Sequence, residues 1–145
     1  MQKIFSYLGF EVLVRFSKGR LVRVELTGRR SNATELPDFK PGLSTFGHFD
    51  SSVMKAAMKI PVGRVTTYMA LADAAGRQKA ARAAGNVMAK NPYAIVVPCH
   101  RVIRSDLSLG GYFYGTEIKR GLLEGEGVKF KGDKVEKEFV IEIHG

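Results

Sequence analysis

The octapeptide Ile95-Val96-Val97-Pro98-Cys99-His100-Arg101-Val102 constrains this chain more than any other stretch. Its apolar run is short, β-branched and closed by a proline, the pattern of a buried strand that delivers one thiol at its end. Cys99 is the only cysteine, so no intramolecular disulfide can form, and no Cys and His cluster has the spacing of a zinc site. A thiol beside an imidazole and a guanidinium sits where the nucleophilic thiolate can be favoured. The same residue would serve equally as a small buried hydrophobe next to an unrelated histidine. Neighbouring side chains diverge along a strand, so either the chain turns at Cys99 or a water bridges sulfur and imidazole. A buried carboxylate beyond His100 is then expected to fix its tautomer. Glu126 is the candidate by position, its alternative being a solvated glutamate near a helix end.

The flanking sequence predicts an α+β fold. At 145 residues the chain suits one compact unit, or a small subdomain docked on a larger one. Residues 10–16 alternate apolar and polar, 17–20 supply a turn with Gly19, and 21–26 alternate again, which predicts a β-hairpin. Residues 27–42 carry turn formers, basic residues and two prolines, and read as a linker. Residues 1–47 are therefore expected to form a small, structural, hairpin-based β subdomain. Residues 48–145 are expected to form a mainly helical domain with a helix-turn-helix and the short buried strand leading to Cys99.

Within that second part, Asp50 or Ser51 can cap a helix burying Val53, Met54, Ala57 and Met58, stopped by Pro61 and Gly63. Thr66-Thr67 then caps a helix over about 68–75, and Gly76 turns the chain into another over about 78–90. On this second helix Ala80, Ala84, Val87, Met88 and Asn91 share an inward face. Arg82, Gly85, Asn86 and Ala89 share an outward one that is almost without bulk. Such a surface suits a helix pressed against the minor groove of DNA, only about 6 Å wide, or close packing against another part of the protein. Asn91-Pro92 ends the helix. Gly110-Gly111 followed by Tyr112-Phe113-Tyr114 suits a pocket wall for a flat ring, or an ordinary aromatic cluster. A helix over 117–123 and a C-terminal strand pair, 128–131 and 134–143, complete the chain. The formal charge of +9 makes a polyanionic partner plausible, with DNA, RNA and a membrane surface not told apart by composition, the alternative being a merely soluble basic protein. No apolar run approaches the roughly 20 residues that span a bilayer, and the N-terminus lacks a signal-peptide h-region. A soluble protein of the cytoplasm, or of the nucleus in a eukaryote, is expected, with no membrane partner.

Taken together, Ile60-Pro61-x-Gly63-x-Val65-x-Thr67-Tyr68, Ala81-Arg82-Ala83, Asn91-Pro92, Pro98-Cys99-His100-Arg101-Val102 and Glu126-Gly127 resemble the O6-alkylguanine-DNA alkyltransferase family over about 49–128. The resemblance implies a single-turnover methylated-DNA–protein-cysteine methyltransferase. It would take an alkyl group from guanine O6, and as a second substrate from thymine O4, after flipping the nucleotide from double-stranded DNA. No cofactor, no metal and a monomeric state are implied. Cys99 would be the nucleophile, His100 would draw off its proton through a water, and Glu126 would orient the imidazole. Tyr68 would assist the leaving guanine at N3, and Asn91 would brace the turn beneath the site. Arg82 would fill the stack, and the backbone of Cys99 and Val102 would receive the guanine amino group. Met88, Tyr112 and Phe113 would line the pocket, with Lys119 holding its loop. The DNA-facing set would be Thr67, Gln78, Lys79, Arg82, Gly85, Asn86 and Arg101. Two departures stand out: the family usually has a longer N-terminal domain, and a glycine-richer pocket loop where Phe113 and Tyr114 here replace small residues; the cysteines of the family's zinc-binding N-terminal variant are also missing. Three rivals make different demands. A non-transferring damage binder would lack Cys99, a helix-turn-helix regulator would read the major groove, and a cysteine hydrolase would have no need of Arg82.

Overall fold

The computed structural model describes residues 1–144. The N-terminal hairpin gains a third strand: β1 (Gln2–Tyr7), β2 (Phe10–Ser17) and β3 (Arg20–Arg30) form an antiparallel sheet in the order β1-β2-β3. Both connections are two-residue turns with positive φ at each position, Leu8 (52°) and Gly9 (81°), then Lys18 (52°) and Gly19 (75°). That conformation matches the twist of the flanking strands. The first turn places a leucine where the backbone favours glycine or asparagine, so it carries little signal in the sequence. β3 runs four residues past the expected end at 26, and the irregular segment begins only after Arg30. Val12, Val14, Val24 and Leu26 face inward and pack with Ile95 and Leu122.

α1 (His48–Ala57) starts from Gly47, which makes no side-chain cap. Asp50, expected as a cap, instead lies in the first turn, where its charge complements the helix dipole. Val53, Met54 and Ala57 are buried as patterned, whereas Met58 lies past the last turn and is 40% exposed. α2 (Tyr68–Ala74) is capped by Thr67, whose Oγ1 accepts from the Ala70 N–H at 3.1 Å. Gly76, at φ 92°, turns the chain toward α3 (Ala81–Ala89). Gln78 and Lys79 lie in that turn and not in the helix, with Lys79 at φ 59°. Val53, Leu71, Ala84, Val87 and Met88 of the three helices share one core.

The approach to Cys99 differs most from expectation. Residues 93–98, buried except for the half-buried Val96, do not form a continuous strand: Tyr93, Ala94 and Val97 make isolated bridges around a turn in which Ile95 adopts φ 71°. The backbone then winds into a 3-10 turn, Cys99–Arg101. Asn91 explains why. Its side chain accepts from the Tyr93 N–H at 2.9 Å and donates to the Val97 carbonyl at 2.8 Å, replacing the ladder a strand would need. Beyond the turn, β5 (Val102–Ile103) pairs in parallel with β4 (Thr66–Thr67), so the cap of α2 and the exit from the cysteine turn are one hydrogen-bonded unit.

α4 (Thr116–Gly125) ends at Glu126, its C-cap residue. The C-terminal strand pair is shorter than patterned, β6 (Phe130–Lys131) with β7 (Lys134–Val135). A 3-10 turn, Lys137–Phe139, then leads into a segment alongside Val65, whose N–H donates to the Phe139 carbonyl and whose carbonyl accepts from the Ile141 N–H. The N-terminal sheet docks through glycine. A Cβ at Gly121 would lie 3.1 Å from the Phe10 ring, and one at Gly125 3.0 Å from the Leu8 side chain. These two positions of α4 therefore let the β1–β2 turn close on the helix that ends in Glu126. Gly121→Leu should overpack this contact and destabilise the protein by about 1–3 kcal/mol despite better helix propensity. A urea midpoint unchanged from wild type would count against close docking through Gly121.

Candidate functional site

Cys99 lies at the floor of a cavity of about 470 Å³ lined by Tyr68, Gly85, Met88, Ala89, Asn91, Gly111 and the aromatic run 112–114. Its sulfur accepts a hydrogen bond from Asn91 Nδ2 at 3.2 Å, so the residue that shapes the turn also touches the reactive atom. Burial pushes the thiol pKa up, and the Asn91 hydrogen bond and the Lys119 charge only partly oppose this. The thiol is protonated at rest, which corrects the expectation drawn from its neighbours: the Arg101 guanidinium points elsewhere. Nucleophilicity must arise by removing the proton as the sulfur reacts.

His100 is fully buried, and its Nε2–H donates to Glu126 Oε2 at 3.0 Å. Nδ1 is buried and has no protein partner. Burial lowers the imidazole pKa, with Glu126 pulling the other way. The neutral ring thus offers Nδ1 as a proton acceptor while Glu126 fixes the opposite nitrogen. Burial works to raise the Glu126 pKa, but hydrogen bonds from His100 and Arg101 and the charges behind them overcome it, leaving a value of about 2.

Arg101, expected to face DNA, lies beneath the site. It is 8% exposed, donates from Nε to Glu126 Oε1 at 2.9 Å and from Nη2 to Oε2 at 2.8 Å, and caps the Ile60 carbonyl through Nη1 at 2.8 Å. Tyr7, from a segment with no chemistry legible in its sequence, donates its hydroxyl to the same Glu126 Oε2. Nothing local marks it, since the two residues lie 119 positions apart.

Lys119 is fully buried and donates to the carbonyls of Val102 and Leu109 at 2.7 Å each, to Gly111 at 3.3 Å and to Tyr68 Oη at 3.4 Å. Burial lowers its pKa to about 8, with Cys99 opposing. It braces the cavity wall from behind. Val102 is likewise buried outside the lining, and its carbonyl already takes a Lys119 donor. Tyr68, Met88, Tyr112 and Phe113 do line the cavity. Burial, and then Cys99, push the Tyr68 phenol up to about 12, so it holds its proton. Tyr112 Oη is buried without a protein partner. Tyr114 meets Tyr112 and Phe113 edge-to-face, at centroid distances of 5.5 and 5.1 Å, and Phe113 is 70% exposed at the rim.

Along α3, Arg82, Asn86 and Ala89 are exposed, Ala89 as part of the cavity lining, and Gln78 and Lys79 are exposed in the preceding turn. Gly85 backs onto the Tyr68 ring, where an added Cβ would be 3.8 Å away. Thr67 and Lys79 border a neighbouring surface groove with the C-terminal residues 142–144.

The site is thus a single buried thiol next to a carboxylate-held imidazole, set behind the thin second helix of a two-helix unit. Residues 48–128, more than half of the chain, match the family profile described as 6-O-methylguanine DNA methyltransferase, DNA binding domain, and the chain belongs to this family. A relative from Sulfurisphaera tokodaii, named methylated-DNA–protein-cysteine methyltransferase, is 45% identical over 101 residues, covering 70% of this chain and 60% of that protein. The chain thus spans between one half and two thirds of that relative's length. The crystal structure of Mycobacterium tuberculosis OGT in complex with DNA superposes with a TM-score of 0.70 at 30% identity, covering 85% of this chain and 90% of the other. The O6-methylguanine-DNA methyltransferase from Pyrococcus kodakaraensis superposes with a TM-score of 0.66 at 26% identity, covering 88% and 98%.

The buried charges set a pH dependence. Glu126 is ionised in the fold down to about 2 but protonates near 4.5 when unfolded, so it contributes stability above 4.5 that is lost as pH falls toward 2. His100, held neutral, adds destabilisation of the same sign as pH drops below its ordinary 6.5. Lowering pH from 6 to 3 should cost on the order of 3 kcal/mol, and Glu126→Gln should be less stable at neutral pH yet flatter across this window. Parallel urea titrations with equal pH slopes for both proteins would contradict the assignment.

Proposed function

We propose that this protein repairs DNA by direct reversal, transferring the alkyl group from O6 of guanine to Cys99 once and irreversibly. The observation that carries this is the Cys99 sulfur at the floor of an aromatic cavity opening beside the exposed, small-residue face of α3. A base inside a duplex is out of reach of a buried thiol, so the target must leave the stack and enter the cavity. Arg82, long, cationic and exposed on α3, would occupy the gap, while Gly85, Asn86 and Ala89 let the helix approach the minor groove. Thr67, Gln78 and Lys79 would add backbone contacts, consistent with binding that ignores sequence. Tyr112 and Phe113 would hold the flat ring, and the free Tyr112 hydroxyl is available to it.

In the chemical step the thiol proton passes through a water to His100 Nδ1, and the imidazolium is stabilised by Glu126. Sulfur attacks the alkyl carbon in line with O6. The S–C bond forms as C–O6 breaks, and the electron pair withdraws into the purine. Tyr68 donates its proton at N3, with Lys119 beside its oxygen to stabilise the phenolate that develops. Proton return from His100 to Tyr68 through solvent restores both groups and leaves a thioether that nothing in the site removes. Residues 48–145 would bind DNA and carry the transfer, with 1–47 as the supporting subdomain. O6-alkylguanine is the substrate proposed here, with O4-alkylthymine a second. The rim aromatics Phe113 and Tyr114 would restrict bulky alkyl groups. No helix among the described residues is long and apolar enough to cross a membrane. A monomer working in the cytoplasm, or the nucleus of a eukaryote, fits these roles.

Incubation with a duplex carrying one O6-methylguanine should add one methyl to the intact protein, stoichiometrically, and none to Cys99→Ser. An unchanged mass with retained duplex binding would instead make the protein a damage binder. Arg82→Ala should slow transfer from the duplex by about 10- to 100-fold, the equivalent of a few kcal/mol of lost flipping support, and slow reaction with a free O6-alkylguanine base far less. Equal losses on both substrates would remove Arg82 from the flipping step.

A further inference from the structure

We propose that Tyr7, from the N-terminal sheet, is a positioning residue for the transfer, holding Glu126 and limiting how much of its charge reaches His100. The inference rests on the alkyl-transfer function proposed above. Tyr7 ends β1 and is fixed from two sides. Its backbone pairs with Phe10 across the Leu8-Gly9 turn, and Leu8 and Phe10 sit on Gly125 and Gly121 of α4. The helix that carries Glu126 at its end is therefore clamped to the strand that carries Tyr7. The Tyr7 hydroxyl donates to Glu126 Oε2, and Arg101 Nη2 lies 3.4 Å from the phenol oxygen.

Oε2 is also the oxygen that holds His100 Nε2 and Arg101 Nη2, whereas Oε1 receives Arg101 Nε. Three donors thus converge on the one oxygen that orients the imidazole. The groups facing this carboxylate are Tyr7 from β1, and His100 and Arg101 from the 3-10 turn; Lys119 of α4 acts on His100 from further off. Each donor draws electron density from Oε2 and weakens its hold on an imidazolium. Arg101 does so as a permanent charge. Tyr7 does so as a neutral donor, since burial and then Glu126 push its phenol up to about 12. Without the hydroxyl, more of the carboxylate charge reaches His100, whose proton is then held more tightly.

The test compares single-turnover transfer from an O6-methylguanine duplex across pH for wild type and Tyr7→Phe, with duplex affinity measured alongside. Tyr7→Phe should move the acid limb of the rate profile upward by about one pH unit, with affinity unchanged. In the DNA-free protein, the His100 imidazole followed by nitrogen NMR should shift its titration the same way. A ring-fluorinated tyrosine at position 7, a stronger donor of the same shape, should move both downward. Acid limb and His100 titration unmoved in Tyr7→Phe, or moved the same way by both replacements, would overturn the proposal. If Tyr7→Phe does not fold, the fluorinated protein decides: a downward shift supports the role and no shift refutes it. Absence of methyl transfer in wild type would refute the function of the site, while the His100 titration would still decide what Tyr7 does to Glu126.

Discussion

A single buried carboxylate holds this protein together at its working end. Glu126 has a fully buried side chain, and an uncompensated charge there would cost several kcal/mol. Compensation comes from three side chains on two elements: Tyr7 from the N-terminal sheet, and His100 and Arg101 from the turn beside the thiol. Arg101 extends the network to the Ile60 carbonyl at the exit from α1. The carboxylate is therefore a joint between the sheet, the helical core and the cysteine turn. Its position at the C-cap of α4 makes the docking of that helix a condition for orienting the imidazole.

Burial then acts on every titratable group in the site, with opposite consequences. It keeps the Cys99 thiol and the Tyr68 phenol protonated and His100 neutral. Lys119 is buried too and moves toward neutrality, held by backbone carbonyls and the Tyr68 hydroxyl. Such a site stores no reactive anion at rest. The sulfur becomes an anion only when its proton is moved, which guards the thiol against chance electrophiles at rest.

Local chemistry accounts for the parts of the structure that were legible beforehand. Thr67 reads as a cap because its hydroxyl is suited to an unpaired helix N–H, and Gly76 as a turn because it accepts positive φ. Ala84, Val87 and Met88 repeat at helical spacing, and they are buried. Misreadings arose where a side chain took over a backbone role. Asn91 satisfies the groups at Tyr93 and Val97, so an apolar β-branched run folds as a turn. Lys79 in a left-handed conformation delays α3, although nothing in Gln78-Lys79 forbids a helix.

By itself the sequence determined the local elements, the α+β class and the presence of one thiol next to an imidazole, because capping, periodicity and residue chemistry act over a few positions. Only the tertiary structure decided what surrounds that thiol. Arg101 is one residue from His100, yet its guanidinium is spent on a carboxylate 25 positions away, and Tyr7 reaches the same carboxylate across 119. No local pattern encodes such meetings. They follow from the docking of a sheet onto α4 at two glycines, and burial, which shifts the thiol and the imidazole, exists only once that docking has excluded water.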